Sequence, residues 1–349
     1  MHDPLFNQRE FDKNEGLSPC SAAPIGHPDK VFQNASCLAQ IPPFTKATMK
    51  TVATIVIPTF NRVGLLPMAI ASALEQSVPC EVIVVDHGSS DSTAEAMVGY
   101  SDSVTYVRRD FDSGPQFSWL DGVTLANHEP VKILHDDDWL DPNYVERCLE
   151  LLVDDVGFVF SGAKLCDGNS QVIDQLFLNI LPGTGTYGSA SQRRLVAEKM
   201  ISPTAMLMRK QDLIDGIYLD RLPFQTAQHL GAGADHYMKL LAMLRYPKFG
   251  FVNAPLASFR SHPGSITIAS NASGSSVELA RVYRQTFDFY LVLLAVRRLR
   301  LIQLLGWTHR LRRKLLRVAG VIPSYIRQVR RVGLVPLRMQ NRRFTGERD

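Results

Sequence analysis

The run Val52-Ala-Thr-Ile-Val-Ile57 is short, apolar and rich in β-branched residues, and Pro58 follows it directly. Apolar residues then recur at helical spacing from Leu65 to Leu74. The first pattern predicts a strand that stops at the proline, and the second predicts a helix that packs on that strand. A strand, a turn and a helix in this order indicate an α/β fold.

The same unit recurs further along the chain. Glu81-Val-Ile-Val-Val85 ends at Asp86. Apolar runs predict further strands at 104–107, 131–134, 156–160, 204–208 and 249–252, and helical spacing predicts helices at 92–98, 116–126, 142–152 and 236–244. Consecutive parallel strands need a crossover helix between them, so the alternation predicts a mostly parallel central sheet with helices on both faces. The candidate site is expected at the carboxyl ends of the strands.

Composition excludes several classes of protein. The chain has 349 residues, of which 45% are hydrophobic and 21% are charged, as in ordinary globular proteins. The 5 cysteines are odd in number and form no C-x-x-C pair, which argues against a disulfide scaffold and a structural zinc site. The first residues do not resemble a signal peptide. These features predict a cytoplasmic protein.

Charge divides the chain into two parts. From Arg281 to the end there are 17 Lys and Arg against 3 Asp and Glu, which leaves 21 basic against 31 acidic residues before it. The basic part is interleaved with leucines and Trp307, which predicts helices that lie on an anionic membrane surface, on the inner face of the cell membrane. The alternative is that these leucines pack on the domain or on a partner subunit. Few aromatic residues are interleaved with the basic ones, so a nucleic-acid partner is not expected.

Three polar segments follow predicted strands and should meet at one rim of the sheet. They are Pro58-Thr-Phe-Asn-Arg62, Asp86-His-Gly-Ser-Ser-Asp91 and His135-Asp-Asp-Asp138. Adjacent carboxylates raise each other's pKa unless a cation holds them, and Mg²⁺ or Mn²⁺ with a diphosphate fits such a group. The alternative is an acidic turn that caps the next helix through Asp138 or Asp141.

In order and spacing the three segments resemble glycosyltransferase family 2, and the resemblance runs from about Thr51 to Ile268. It implies a GT-A nucleotide-diphosphosugar transferase fold, a nucleotide-diphosphosugar donor, Mn²⁺ or Mg²⁺, and transfer to a hydroxyl acceptor with inversion. Many members of this family have Asp-x-Asp-Asp at the acidic segment, a register in which His135 replaces the first Asp. A second register uses Asp136 and Asp138, and the sequence leaves both open.

The resemblance also implies roles for individual residues. The metal ligands would be Asp137, Asp138 and His262. The donor would be bound by Pro58, Thr59, Phe60, Arg62, Asp86, Gly114, Asp136, Asp137 and Arg260. For Asp86 the alternative is a helix N-cap, and for Thr59, Phe60 and Arg62 it is turn chemistry after the proline.

Inverting transfer to a hydroxyl needs one general base near the acceptor. The resemblance assigns that role to Asp235, in Gly231-Ala-Gly-Ala-Asp235, at the start of a predicted helix. An N-cap is the alternative for Asp235, and one residue can do both. Trp119, beside the glycine loop at Gly114, is expected in the core rather than in the site.

These observations predict three regions: an N-terminal arm at 1–50, a glycosyltransferase domain at 51–270 and a basic helical tail at 271–349. Within the domain, residues 51–162 would bind the nucleotide sugar and residues 163–270 the acceptor. The predicted function is sugar transfer in cell-surface polysaccharide or glycolipid assembly, with a sugar or lipid-linked acceptor. The alternative is a non-catalytic nucleotide-sugar-binding or membrane-scaffolding protein with the same fold.

Overall fold

The computed structural model describes residues 50–223, 225–226, 232–265 and 276–304. The predicted N-terminal arm, except for Lys50, and the tail beyond Leu304 lie outside the described residues. The helices are α1 Leu66–Leu74, α2 Thr93–Met97, α3 Pro115–Leu125, α4 Tyr144–Leu149, α5 Arg193–Glu198, α6 Lys210–Gly216, α7 Ala234–Arg245 and α8 Ser276–Leu304. Short 3-10 helices span Val98–Tyr100 and Pro203–Ala205.

The strands belong to one ten-stranded sheet with the order β3-β2-β1-β4-β9-β6-β10-β5, while β7 pairs with β6 and β8 with β10. Their bounds are β1 Ala53–Thr59, β2 Cys80–Asp86, β3 Thr105–Arg108, β4 Val131–Ile133, β5 Trp139–Leu140, β6 Val156–Cys166, β7 Val172–Phe177, β8 Gly185–Gly188, β9 Met206–Met208 and β10 Lys248–Arg260.

The first half of the sheet is the parallel α/β unit that the sequence predicts. Strands β3, β2, β1 and β4 are parallel neighbours. The second half is mixed, because β9 lies antiparallel between β4 and β6, whereas β6 and β10 pair in parallel. The predicted α/β architecture is therefore confirmed, with antiparallel strands added on one side.

Two strands differ in length from the predictions. Strand β1 continues through Pro58 to Thr59, although a proline cannot donate to a neighbouring strand. Strand β4 pairs only with residues 54–56 of β1, so the proline meets a partner strand on the β2 side alone. Strand β10 extends to Arg260, beyond the predicted apolar run, because β6 continues beside it to Cys166.

The core lies between the sheet and its helices. All seven residues of β1 are buried, as expected for a strand that is covered on both faces. Trp119 is 6% exposed and belongs to the core, as predicted. Between β6 and β10, the rings of Phe160 and Phe251 lie 4.8 Å apart between centroids, and Phe158 stacks on Phe249 at 5.5 Å.

Helix α8 is packed on the domain over its first half. Its buried residues include Leu279, Val282, Thr286, Phe289 and Tyr290. The Tyr290 hydroxyl accepts a hydrogen bond from Arg193 Nε of α5 at 3.2 Å. Among the described residues, no helix is both long and apolar enough to cross a lipid bilayer.

Replacement of Gly122 by Ala should destabilise the fold. Gly122 lies in α3 against the sheet, where a Cβ atom would overlap Val56 Cγ1 and come within 3.1 Å of Val85 Cγ2. Overpacking of this kind costs about 1–3 kcal/mol. Urea unfolding measures the loss, and Gly64→Ala is the control because nothing lies within 4 Å of the position that its added methyl group would take. Equal stability of the two variants would contradict the packing of α3.

Candidate active site

The carboxyl ends of three strands meet at one rim of the sheet. Thr59, the last residue of β1, lies opposite Asp86, the last residue of β2. The acidic triplet, Asp136 to Asp138, follows β4 closely, and Leu134 N–H still donates to Val56 of β1 at 2.9 Å. All three carboxylates are buried, between 4% and 8% exposed. The fold thus brings together the three polar segments that the sequence singles out.

Asp136 is held by the loop that follows β1. Its Oδ2 accepts a hydrogen bond from the Thr59 hydroxyl at 2.8 Å, and its Oδ1 accepts one from Arg62 at 2.9 Å. Burial raises the pKa of Asp136 to about 6, against the opposing charge of Arg62. Thr59 and Arg62, both predicted to bind the donor, therefore contact the acidic triplet directly.

The Asp137 carboxylate lies between the side chains of Arg62 and His262. Its Oδ2 accepts from Arg62 at 3.0 Å and from His262 Nε2 at 3.0 Å. The other ring nitrogen, Nδ1, accepts from Gly264 N–H at 3.2 Å. Burial opposes ionisation of Asp137, but the His262 hydrogen bond and the Arg62 charge outweigh it and lower its pKa.

Asp138 is bound by the last residue of β10. Its Oδ1 accepts the backbone N–H of Arg260 at 3.1 Å, and the Arg260 guanidinium lies over the Trp139 ring at 5.1 Å. Arg260 Nε donates to the Asp137 carbonyl at 3.1 Å. Burial, followed by the charge of Asp137, raises the pKa of Asp138 well above its ordinary value. The N-cap of α4 is Asn143, so the triplet does not serve as a cap for that helix.

The structure adds two residues that the sequence reasoning missed. The Thr204 hydroxyl accepts the His135 N–H at 3.2 Å and also hydrogen-bonds Asp138. Behind it, the fully buried Lys132 ammonium donates to the carbonyls of Pro203, at 2.8 Å, and Thr204. The position of Lys132 inside an apolar run is the sequence signal that could have identified it. A buried ammonium needs specific hydrogen-bond acceptors, which predicts a structural role for such a lysine.

One group of side chains in the described part of the chain could hold a cation. Ligand atoms of His135, Asp137 and Asp138 all lie within 4.8 Å of one another. His135 Nε2 is buried without a hydrogen-bond partner, and burial lowers the pKa of His135 to about 4, so the imidazole is neutral. A neutral imidazole with two carboxylates suits Mn²⁺. His262, the predicted ligand, instead contacts Asp137.

Asp86 is fully buried and its carboxylate is occupied by the protein. Its Oδ1 accepts from the N–H groups of Gly88 and Ser89 and from the Ser89 hydroxyl, at 2.6–3.1 Å. Its Oδ2 accepts from the Tyr106 hydroxyl at 2.6 Å. The N-cap of α2 is Ser92, so Asp86 does not cap that helix. These contacts fix the turn that follows β2.

The other predicted donor-binding residues lie beside this turn. Phe60 is 37% exposed, and its ring centroid is 6.1 Å from that of His87. Gly114 precedes α3 with a φ of +97°, which favours glycine, and its N–H donates to Asp112 at 2.8 Å. His87 is near the same Asp112 carboxylate, at 3.4 Å. The loops after β1, β2 and β3 thus form one continuous edge.

Asp235 lies in the first turn of α7, apart from these contacts. Its Oδ1 accepts from Gly233 N–H at 2.9 Å and His236 N–H at 2.8 Å. Its Oδ2 accepts from the Tyr283 hydroxyl of α8 at 3.0 Å. Burial raises the pKa of Asp235. The N-cap itself is Gly233, so Asp235 stabilises the helix start without being its cap.

Comparison with known families finds a match in the first part of the described domain. The family pattern described as glycosyl transferase family 2 matches residues 54–216. The resemblance of this chain to that family is thereby confirmed over these residues. The matched segment contains the acidic triplet and ends before Asp235, Arg260 and His262.

Relatives and solved structures agree with this class. The chain is 23% identical over 226 residues to an uncharacterized glycosyltransferase of Haemophilus influenzae, covering 63% of this chain and 72% of that protein. It is 22% identical over 222 residues to the glycosyltransferase GlyA of Streptococcus pneumoniae, covering 61% of this chain and 31% of GlyA. The crystal structure of S. aureus TarS 1–349 in complex with UDP-GlcNAc matches with a TM-score of 0.51 at 16% identity, covering 63% of this chain and 61% of that TarS chain. That likeness shows the fold.

Single Asp→Asn changes should identify which carboxylates bind a cation. Asp137→Asn and Asp138→Asn remove charges from the group with His135, so Mn²⁺ affinity should fall by on the order of 100-fold. Asp136→Asn is the matched control, because Asp136 is bound by Thr59 and Arg62. Titration calorimetry with Mn²⁺ measures each affinity. Loss in Asp136→Asn with retention in Asp137→Asn would instead support the register that uses Asp136 and Asp138.

Proposed function

We propose that the protein is a metal-dependent, inverting glycosyltransferase that moves a sugar from a nucleotide-diphosphosugar to a hydroxyl acceptor. The observation that supports this proposal most directly is the buried acidic triplet at the sheet rim, within the residues that match glycosyl transferase family 2. Three adjacent carboxylates are costly to bury as ions, and a cation shared with a diphosphate offsets that cost.

His135, Asp137 and Asp138 are the residues that would hold the cation, since they form the ligand group with an unpartnered buried nitrogen. When bound, Mn²⁺ or Mg²⁺ would stabilise the charge of the leaving nucleoside diphosphate. Arg62 and Arg260 flank the triplet and would add positive charge on the side where the diphosphate binds.

The donor nucleotide would lie along the edge formed by the loops after β1, β2 and β3. The exposed face of Phe60 can stack on a base, and Gly114 allows close approach of the backbone. Asp86 would act through the turn it fixes, because four hydrogen bonds already reach its carboxylate. TarS was solved with UDP-GlcNAc, which makes UDP-sugars the first donors to test here.

Asp235 would be the general base that accepts the proton from the acceptor hydroxyl as that oxygen attacks the anomeric carbon. Its raised pKa brings the carboxylate closer to the range in which a base works efficiently near neutral pH. From the described residues, Oδ2 accepts one hydrogen bond, from Tyr283, which leaves a lone pair for the acceptor.

The acceptor is proposed to be lipid-linked, in cell-surface polysaccharide or glycolipid assembly. In its last third, helix α8 carries Arg297 and Arg298, both exposed and both within the basic part of the chain. Basic residues next to apolar ones favour attachment to an anionic membrane surface from the cytoplasmic side. Such attachment would hold the donor site beside a lipid-linked acceptor.

Asp235→Asn should separate catalysis from binding. The amide cannot accept the proton, so turnover should fall by roughly 10²- to 10⁴-fold while donor affinity is retained. Asp215→Asn is the matched control, since that carboxylate is paired with Arg245 instead. Nucleotide release and donor titration are measured on both variants. Wild-type turnover in Asp235→Asn would remove the residue from the reaction, and donor binding with no turnover in the wild type would favour the non-catalytic alternative.

Charge reversal in the last third of α8 should weaken membrane binding. Each basic residue near an anionic leaflet contributes about 1 kcal/mol, so Arg297→Glu with Arg298→Glu should lower partition onto phosphatidylserine vesicles by about 30-fold or more. Arg194→Glu with Lys199→Glu changes the same charge on exposed residues at α5 and serves as control. Co-sedimentation of the full chain measures both. If wild-type protein stays in solution with the vesicles, the membrane proposal is wrong.

A further inference from the structure

Helix α8 is built into the surroundings of Asp235. Gly233, two residues before Asp235, has a φ of +93°, and a Cβ atom there would overlap the Tyr218 hydroxyl. The same Cβ would come within 2.9 Å of Val282 and Thr286 on α8. The backbone that leads into α7 is therefore pressed against α8, and glycine is required both for its conformation and for the space.

Helix α8 also contacts the Asp235 carboxylate. Oδ1 of Asp235 is held by two N–H groups of its own helix start, at 2.9 and 2.8 Å. Oδ2 receives its hydrogen bond from another element, through the Tyr283 hydroxyl at 3.0 Å. The Tyr283 ring is itself held edge-on against His236, at 5.9 Å between centroids. With donors on both oxygens, the carboxylate plane is fixed in one orientation.

We propose that Tyr283 is a positioning residue that fixes the Asp235 carboxylate for proton abstraction, so that α8 is part of the active site. The inference rests on the proposed function of Asp235 as the base. Both residues lie beyond residues 54–216, which the family pattern matches. The part of the chain predicted as a separate basic tail thus begins with a helix that serves the reaction.

Four described titratable residues lie around Asp235, and His236 contacts its carboxylate through the backbone N–H. Tyr283 approaches from α8 and Tyr218 from the segment before α7. On α7 itself, burial lowers the pKa of His236 well below its ordinary value, and burial also lowers the pKa of Lys239 to about 7. The Tyr283 hydroxyl donates to the carboxylate and favours its charged form. Loss of this donor should raise the pKa of Asp235 further.

Tyr283→Phe tests the proposal, with Tyr290→Phe as the matched control. Both changes remove one partly buried hydroxyl-mediated hydrogen bond from α8, but the Tyr290 hydroxyl is bonded to Arg193 instead. With UDP-GlcNAc, Mn²⁺ and water as the acceptor, we expect kcat of Tyr283→Phe to fall about tenfold with KM within twofold. Because a base works when deprotonated, the acid limb of its pH profile should move up by about one unit. The control, Tyr290→Phe, should keep the wild-type kcat and the wild-type acid limb of the pH profile.

Several results would overturn the proposal. If Tyr283→Phe has the same kcat and pH profile as Tyr290→Phe, the Tyr283 hydroxyl contributes only to packing. If the wild type does not hydrolyse UDP-GlcNAc, ¹³C NMR titration of the Asp235 carboxyl in the full chain decides, with Asp235→Asn to assign the signal. An unchanged pKa in Tyr283→Phe then contradicts the proposal. Wild-type turnover in Asp235→Asn would show that Asp235 is not the base, so that Tyr283 could not act through it in the reaction. The NMR titration would then test only whether Tyr283 changes the pKa of the Asp235 carboxyl.

Folding is checked by circular dichroism melts of both variants. Should Tyr283→Phe fail to fold, 3-fluorotyrosine at position 283 keeps the shape of the side chain and makes the hydroxyl a stronger donor. The carboxyl pKa of Asp235 should then move down instead of up. A pKa that stays in place would show that Tyr283 does not act on Asp235.

Discussion

Burial of three consecutive carboxylates behind a three-residue strand is the constraint on which the rest of the site depends. An isolated ion is costly to remove from water, and adjacent like charges add to that cost. Hydrogen-bond donors from distant parts of the chain offset this cost. They are Thr59 and Arg62 at and just after the end of β1, the Arg260 N–H from β10, and Thr204 from the 3-10 helix before β9. The triplet is therefore also a point at which the two halves of the sheet are joined.

The connection of the two sheet halves at the triplet accounts for several contacts around it. Lys132 lies in β4, shortly before the triplet, and its ammonium binds carbonyls of the 3-10 helix that carries Thr204. Arg62 donates to Asp136 and Asp137 and also to the Gly264 carbonyl at 2.8 Å, which ties the late loop to the first one. His262, close to Gly264, completes the contact at Asp137. A change at any of these positions is expected to alter the geometry at the carboxylates.

The sequence predicts the parallel half of the fold and the rim, because apolar runs and the polar residues after them are local signals. Thr59, Arg62, Arg260 and His262 were found through the resemblance, and the structure places all four against the triplet. The antiparallel direction of β9 and the length of β10 depend on their neighbouring strands, and local sequence patterns do not predict which strands are neighbours. His135 as a member of the ligand group, the occupied carboxylate of Asp86 and the Tyr283 contact likewise depend on tertiary packing.

The central claim is that the triplet forms a cation site that binds the diphosphate of a nucleotide sugar. A thermal-shift screen of the full chain against UDP, GDP, TDP and CMP sugars, each with and without Mn²⁺, tests it most directly. Ligand at 100 times its dissociation constant stabilises a protein by about 2.7 kcal/mol. The account predicts that one class of nucleoside-diphosphate sugar raises Tm in the presence of Mn²⁺ and has little effect without it. Equal stabilisation with and without Mn²⁺, or none by any sugar nucleotide, would contradict it.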